Sequence, residues 1–361
     1  VGNIAINRDP QELRIALPPE HSPMLSRLLP ILAFCIGTLP LYAEDKKPMI
    51  LGTIERKDPA FDAIIPKDAV IEILAGGFDW SEGPVWVNEK EGGHLLFSDI
   101  PKNMIWKWSE KGGLKEFLKP SGYTGTEKFT GKEPGSNGLA LDKDGKLILC
   151  QHGDRRVSRL VDGKFITLAD KYDGKRLNSP NDLVYKSNGD LYFTDPPYGL
   201  PGQMKDPKKE LDYQGVYRLD TKGKLTLLTK EMTRPNGIAF SPDEKTLYVA
   251  NSDPELAIWK AFPVKEDGTL GAGKVLFDTT AWVKEKKPGL PDGMKVDASG
   301  NIFATGPGGV LVMDKTGKLL GILATGVPTA NCGFGDDGST LYITADKNLV
   351  RVKTKTKGIS K

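Results

Sequence analysis

Short apolar runs broken by tight turns recur along the chain. Leu183-Val184-Tyr185 is followed by the turn Ser187-Asn188-Gly189 and then by Leu191-Tyr192-Phe193-Thr194-Asp195. The same phrase returns as Ile238-Ala239-Phe240, Pro242-Asp243-Glu244 and Leu247-Tyr248-Val249-Ala250-Asn251. It returns again as Met294-Lys295-Val296, Ala298-Ser299-Gly300 and Ile302-Phe303-Ala304-Thr305. Apolar runs this short, bounded by Gly, Asn and Asp, predict half-buried strands joined in hairpins. Weaker copies begin at Ser81-Glu82-Gly83-Pro84-Val85-Trp86, Ser136-Asn137-Gly138-Leu139 and Ala330-Asn331-Cys332-Gly333.

One polar residue precedes the first apolar strand of each copy. These markers are Glu82, Asn137, Asn181, Asn236, Asp292 and Asn331, and subtraction gives intervals of 55, 44, 55, 56 and 39 residues. Repeats of ~40 to 55 residues carrying several strands are the mark of a propeller. Six copies predict an all-β, six-bladed β-propeller spanning 69–355. The strand at Ala69–Leu74 has no copy of its own, while the sixth copy is one strand short. Pairing the two would close the ring and cover an edge.

Outside the repeats, Met24-Leu25-Ser26-Arg27 precedes the apolar run Leu28–Leu41. With Ala43 ahead of a charged stretch this reads as an export signal cleaved near Ala43, which predicts a periplasmic or secreted protein. Residues 1–43 are therefore taken as an upstream extension plus signal, 44–68 as a linker, and 356–361 as a basic tail. Bulky Phe34 ahead of Cys35 argues against a lipid anchor, so no stable membrane attachment is expected. The inserted stretches 122–135 and 196–215 would be loops over or near a site, the first expected as a lid.

Composition narrows the chemistry. The chain has 361 residues, 41 of them Gly, and a formal charge of +3 with acids and bases interspersed, so nucleic acid is not the expected partner. Only three His and three Cys occur, with no Cys-x-x-Cys, which disfavours a zinc centre. Cys150 and Cys332 could pair or remain buried thiols. In a propeller the six markers would converge on one mouth of the central channel. Two acids among amides form an oxygen donor set suited to a hard cation such as Ca²⁺, whereas the plainer reading is that Asn and Asp recur because they make turns. Further candidates are His152 as a substrate donor or proton carrier, with a packed histidine the commoner outcome; Arg176 as a contact for an anionic or hydroxylated substrate or else a surface ion pair; Asp195 as a substrate contact or a support for one; and Tyr198 as a substrate contact from the neighbouring loop. Trp86, Trp106 and Trp259 are expected to pack blades together.

The steps Ser81-Glu82-Gly83-Pro84-Val85-Trp86, Ser179-Pro180-Asn181-Asp182, Arg234-Pro235-Asn236-Gly237 and Pro291-Asp292-Gly293-Met294 resemble the senescence marker protein / gluconolactonase / luciferin-regenerating-enzyme family. The likeness runs from about Glu72 to Val352. It implies a six-bladed propeller that hydrolyses a sugar lactone at one divalent cation, usually Ca²⁺, with Zn²⁺, Mn²⁺ or Mg²⁺ as alternatives. It also implies Glu82, Asn181, Asn236 and Asp292 as metal ligands, with Asn181 in some members mainly a substrate contact. Asp292, or else a water on the cation, would supply the base or nucleophile, and Asn137 would touch substrate. Two other readings stay open: a hydrolase of organophosphates or aryl esters at the same cation, and a non-catalytic propeller binding a sugar or a protein. Oligomeric state is not legible.

Overall fold

The computed structural model describes residues 47–90 and 92–359. Six antiparallel sheets make the blades, five of four strands and one of five. Their innermost strands are Ser81–Glu89, Ser136–Leu141, Leu183–Tyr185, Pro235–Phe240, Met294–Val296 and Asn331–Gly335. Each innermost strand touches that of the next blade, and the sixth touches the first, so the sheets form a closed ring. The fold is the six-bladed β-propeller that the repeats predict.

Closure occurs where expected. Glu72–Gly76 runs antiparallel beside Asn348–Lys353, pairing Glu72 with Arg351 and Gly76 with Asn348, and so supplies the missing strand of blade 6. The Arg351 guanidinium reinforces the seam with a 2.6 Å ion pair to Glu72.

Two boundaries differ from expectation. The segment 44–68 is not a linker over its described part, because Thr53–Arg56 pairs with Gly321–Ala324 as a fifth, outermost strand of blade 5. The following 3₁₀ turn Pro59–Ala63 drives Phe61 into a core shared with Phe303, Leu323 and Val350, where Phe61 and Ile65 are fully buried. Burying a Phe and an Ile offsets the entropy of ordering a short polar strand, each contributing about 1.5–3 kcal/mol. Nor do residues 353–359 fray. Gly358 bridges Asp297, and the Thr356 hydroxyl donates to Asp297 at 2.7 Å. The expected upstream extension and export signal, residues 1–43, lie outside the described residues.

Blade faces pack through aromatic rings: Trp86 stacks on Tyr342 at 5.3 Å, Trp106 meets Phe78 at 5.9 Å, and Trp259 is fully buried. Cys150 and Cys332 are both free and buried on different blades. Among the described residues, no helix is long and apolar enough to cross a membrane.

Candidate active site

The strand starts of the inner ring open into a cavity of about 410 Å³. Glu82, Asn137 and Asn236 are each the second residue of an innermost strand, while Asn181 and Asp292 stand two residues ahead of theirs. All five line this one cavity, as does Tyr198. Turn propensity alone would not aim five such side chains at a common space, so the plainer reading fails for them. Asn331, the sixth marker, is not in the lining; its amide lies beneath, against Glu82 and Asp182.

Neighbouring blades approach closely here, and the sequence permits it. A Cβ on Gly83 would stand 2.2 Å from the Asn137 carbonyl oxygen, and one on Gly237 2.1 Å from that of Asp292. Only a residue without a side chain lets the markers come this close. Hydroxyls on the second strands then lace the ring. Ser98 donates to the Asn137 carbonyl at 2.8 Å, Thr194 to that of Asn236 at 2.7 Å, and Thr305 to that of Ala330 at 2.8 Å.

The polar atoms at the mouth are underused by the protein. Asn137 Oδ1, Asn181 Oδ1 and Asp292 Oδ1 are buried and have no hydrogen-bond partner. Glu82 accepts a 3.0 Å bond from the Gly83 N–H, has the Asn331 amide against it, and is 2% exposed. Burial pushes the carboxyls of Glu82 and Asp292 well above the usual carboxylate range; like-charge repulsion from Asp182 and Glu133 adds to both, and Glu82 further raises Asp292. Buried acceptors left unpaired cost about 1–3 kcal/mol each, so the arrangement calls for a donor or a cation. No cluster of three or more His, Cys, Asp or Glu side chains occurs among the described residues in metal-holding geometry, so a cation here would rely on amide oxygens as well as the two acids.

Three expected contacts are corrected. His152 is completely buried and does not line the cavity; its Nδ1 stands 3.0 Å from Oε2 of Glu133, which does. Asp195 turns away from the mouth, accepting from the Asn178 N–H at 2.8 Å, and so braces the turn that carries Asn181. Burial pushes its carboxyl up to about 7 against that stabilising bond. Arg176 is also outside the lining, with its guanidinium spent on the Asp154 carbonyl at 2.7 Å. A strand-end position in the sequence fixes which mouth a residue is near, not which way it points.

Several cavity residues carried no sequence signal. Glu133 comes from the stretch 122–135, Trp80 and Arg234 flank markers, and Ser252 ends a second strand. Asp182, beside marker Asn181, is a further buried carboxylate, raised by burial. The stretch 122–135 contributes Glu133 to the cavity lining, and its two ends are held by hydrogen bonds. Asn103 Oδ1 accepts from the N–H groups of Ser121, Gly122 and Tyr123 at 3.1, 2.7 and 3.2 Å, and the Gly135 carbonyl accepts from the His152 N–H at 3.1 Å.

Comparison with known proteins gives a consistent picture. The family profile described as SMP-30/Gluconolactonase/LRE-like region matches residues 80–347. A gluconolactonase of Zymomonas mobilis subsp. mobilis is 42% identical over 322 residues, 85% of this chain and 88% of the relative. The solved structure of a gluconolactonase from Xanthomonas campestris superposes with a TM-score of 0.73 at 32% identity, covering 85% of this chain and 96% of that one. A structure described as a calcium-binding protein, regucalcin, from Agrobacterium tumefaciens superposes at 0.62 with 20% identity, covering 80% and 94%, a likeness of fold.

Proposed function

The chain belongs to the SMP-30/gluconolactonase/LRE-like family, and on that footing we propose that it hydrolyses a sugar lactone with a divalent cation, Ca²⁺ foremost, held by Glu82, Asn181, Asn236 and Asp292. The observation that carries this reading is the convergence of unpartnered buried oxygens, those of Asn137, Asn181 and Asp292, on one cavity beside a second acid. The donor set fits such an ion: all oxygen, two carboxylates to offset a +2 charge, and no nitrogen or sulfur ligand. When bound, the cation would polarise the lactone carbonyl and favour the charge that develops on its oxygen.

The protein's own groups divide the remaining work. Asp292 is the proposed base: it lines the cavity, and its buried Oδ1 has no hydrogen-bond partner. It takes the proton of the water that attacks the carbonyl and returns it to the ring oxygen as that C–O bond breaks. Asn137, with its amide oxygen unpaired in the lining, accepts from substrate. Tyr198 forms part of the wall, its hydroxyl tied to the Ser252 carbonyl at 3.3 Å.

The test is lactone hydrolysis by EDTA-treated protein with Ca²⁺, Mn²⁺, Zn²⁺ and Mg²⁺ restored singly. Activity falls to background on stripping and returns with at least one ion. Asp292→Ala loses turnover by about 10³-fold or more, together with cation affinity. Undiminished hydrolysis by the stripped protein would remove the cation from the scheme, and full activity in Asp292→Ala would remove the base.

A further inference from the structure

Glu133 is the one acid in the cavity lining that is neither a marker nor beside one. It lies in a stretch with no strand pattern, yet its seat is built. Beyond the Asn103 bonds already described, Gln151 Nε2 donates to the Ser121 carbonyl at 2.9 Å and the Thr124 hydroxyl to Asp154 at 2.6 Å. The stretch is therefore held at both ends, with Glu133 two residues from the anchored Gly135.

Beneath it stands His152, whose side chain has no exposure at all, while that of Glu133 is 30% exposed. Nδ1 lies 3.0 Å from Glu133 Oε2 but outside hydrogen-bond geometry, so that neither ring nitrogen has a hydrogen-bond partner among the described residues. His152 is itself fixed from the other side: a Cβ on Gly199 would stand only 2.6 Å from the His152 Cβ, and the Gly199 N–H is held by the Ser179 hydroxyl at 2.8 Å. Both inserted loops thus clamp one imidazole, and the polar group it presents itself to is the Glu133 carboxylate. Glu133 itself lines the cavity and is 30% exposed, and its carboxylate makes no hydrogen bond to another side chain among the described residues.

An ionised carboxylate oxygen accepts hydrogen bonds and donates none. A polyhydroxylated lactone offers it a donor; an unsubstituted ring offers only C–H groups and leaves the acid unpaired on losing water. We propose that Glu133, positioned by His152, reads a ring or side-chain hydroxyl of the substrate and so makes this site select polyhydroxylated lactones over bare ones. This rests on the lactonase reading above and names what that site recognises.

The experiment compares kcat/KM for D-glucono-1,5-lactone with that for δ-valerolactone, which has the same ring size and no hydroxyls, after melting curves establish that each variant is folded. Glu133→Ala lowers the ratio of the two at least tenfold, chiefly by raising KM for the hydroxylated lactone. Glu133→Gln, whose amide oxygen still accepts, lowers it less. His152→Ala lowers it in the same sense, and His152→Asn, with an amide N–H close to the place of Nδ1, recovers part of the loss. An unchanged ratio in folded Glu133→Ala overturns the proposal. So does a fall in Ca²⁺ affinity, read by calorimetry without substrate, that accompanies an unchanged ratio, since Glu133 would then serve the ion. If the wild type hydrolyses no lactone, the function proposed above fails first. Calorimetric binding of D-gluconate then decides the hydroxyl contact alone, with weakening of tenfold or more in Glu133→Ala supporting it and equal binding refuting it.

Discussion

Gly237→Ala isolates the geometry on which the site depends. Gly237 does not occupy the left-handed region, so alanine can adopt its backbone conformation; the added methyl acts by volume alone. Its carbon would stand 2.1 Å from the Asp292 carbonyl oxygen, 2.8 Å from the Asp292 carbonyl carbon and 2.8 Å from the Gly293 Cα. An ordinary carbon to oxygen contact is about 3.3 Å, so the two inner strands must part by roughly 1 Å. Every atom in the way is backbone, and none can rotate aside. Overpacking of this kind costs about 1–3 kcal/mol. The larger effect is on catalysis, because Asn236 lies on one of the displaced strands and Asp292 two residues ahead of the other, and a misplacement of about 1 Å can cost about 10²-fold in rate. Gly271→Ala is the control, since its Cβ would meet nothing nearer than the Pro263 side chain at 3.4 Å. Steady-state kinetics on a lactone and thermal melts of both variants are the assay. A Gly237→Ala protein with wild-type kcat/KM and melting temperature would refute the claim that contact between blades sets the spacing of the site.

Other outcomes follow from burial and charge. Glu82 and Asp292 have folded-state proton affinities above their unfolded values, so the cation-free protein binds more protons folded than unfolded and loses stability as pH rises from the unfolded carboxylate range through the folded values. Asp292→Asn removes one of the charges and, in EDTA at pH 8, raises the urea midpoint by an equivalent of about 1–3 kcal/mol; saturating Ca²⁺ reverses the order, because only the wild type binds it well. Equal midpoints in EDTA would contradict the like-charge repulsion. Phe61→Ala destabilises by about 3–5 kcal/mol in the same assay, where a true linker residue would cost nothing. Burial pushes the Cys332 thiol up to about 12 and raises that of Cys150 as well, so neither reacts with a thiol reagent at pH 8 until denaturant is added, and reductant leaves the melting temperature unchanged.

The ring and five of its six markers were legible because a repeat constrains both spacing and direction. A polar residue just ahead of an inner strand has little choice but to face the channel mouth, as Glu82, Asn137, Asn181, Asn236 and Asp292 do. Residues at or just past the end of a second strand have no such constraint, and their direction is not legible there: Asp195 braces a turn and His152 lies under the wall. Glu133 sits between Lys132 and Pro134 in a polar loop, which looks like solvated surface. Its placement depends on Asn103 and His152, distant in sequence and invisible to periodicity. Thr53–Arg56 was missed for a related reason, since four residues with a single apolar member become a strand only beside a blade edge that needs covering.

The seam between Glu72–Gly76 and Asn348–Lys353 has a temporal consequence. A ribosome releases the first of these strands nearly 300 residues before the second. Until then the nascent chain holds five blades in an open arc, with Glu82 already made but no companion on its far side. Premature termination anywhere before blade 6 therefore yields no partly working product, and the competence of the mouth arrives all at once with the final hairpin.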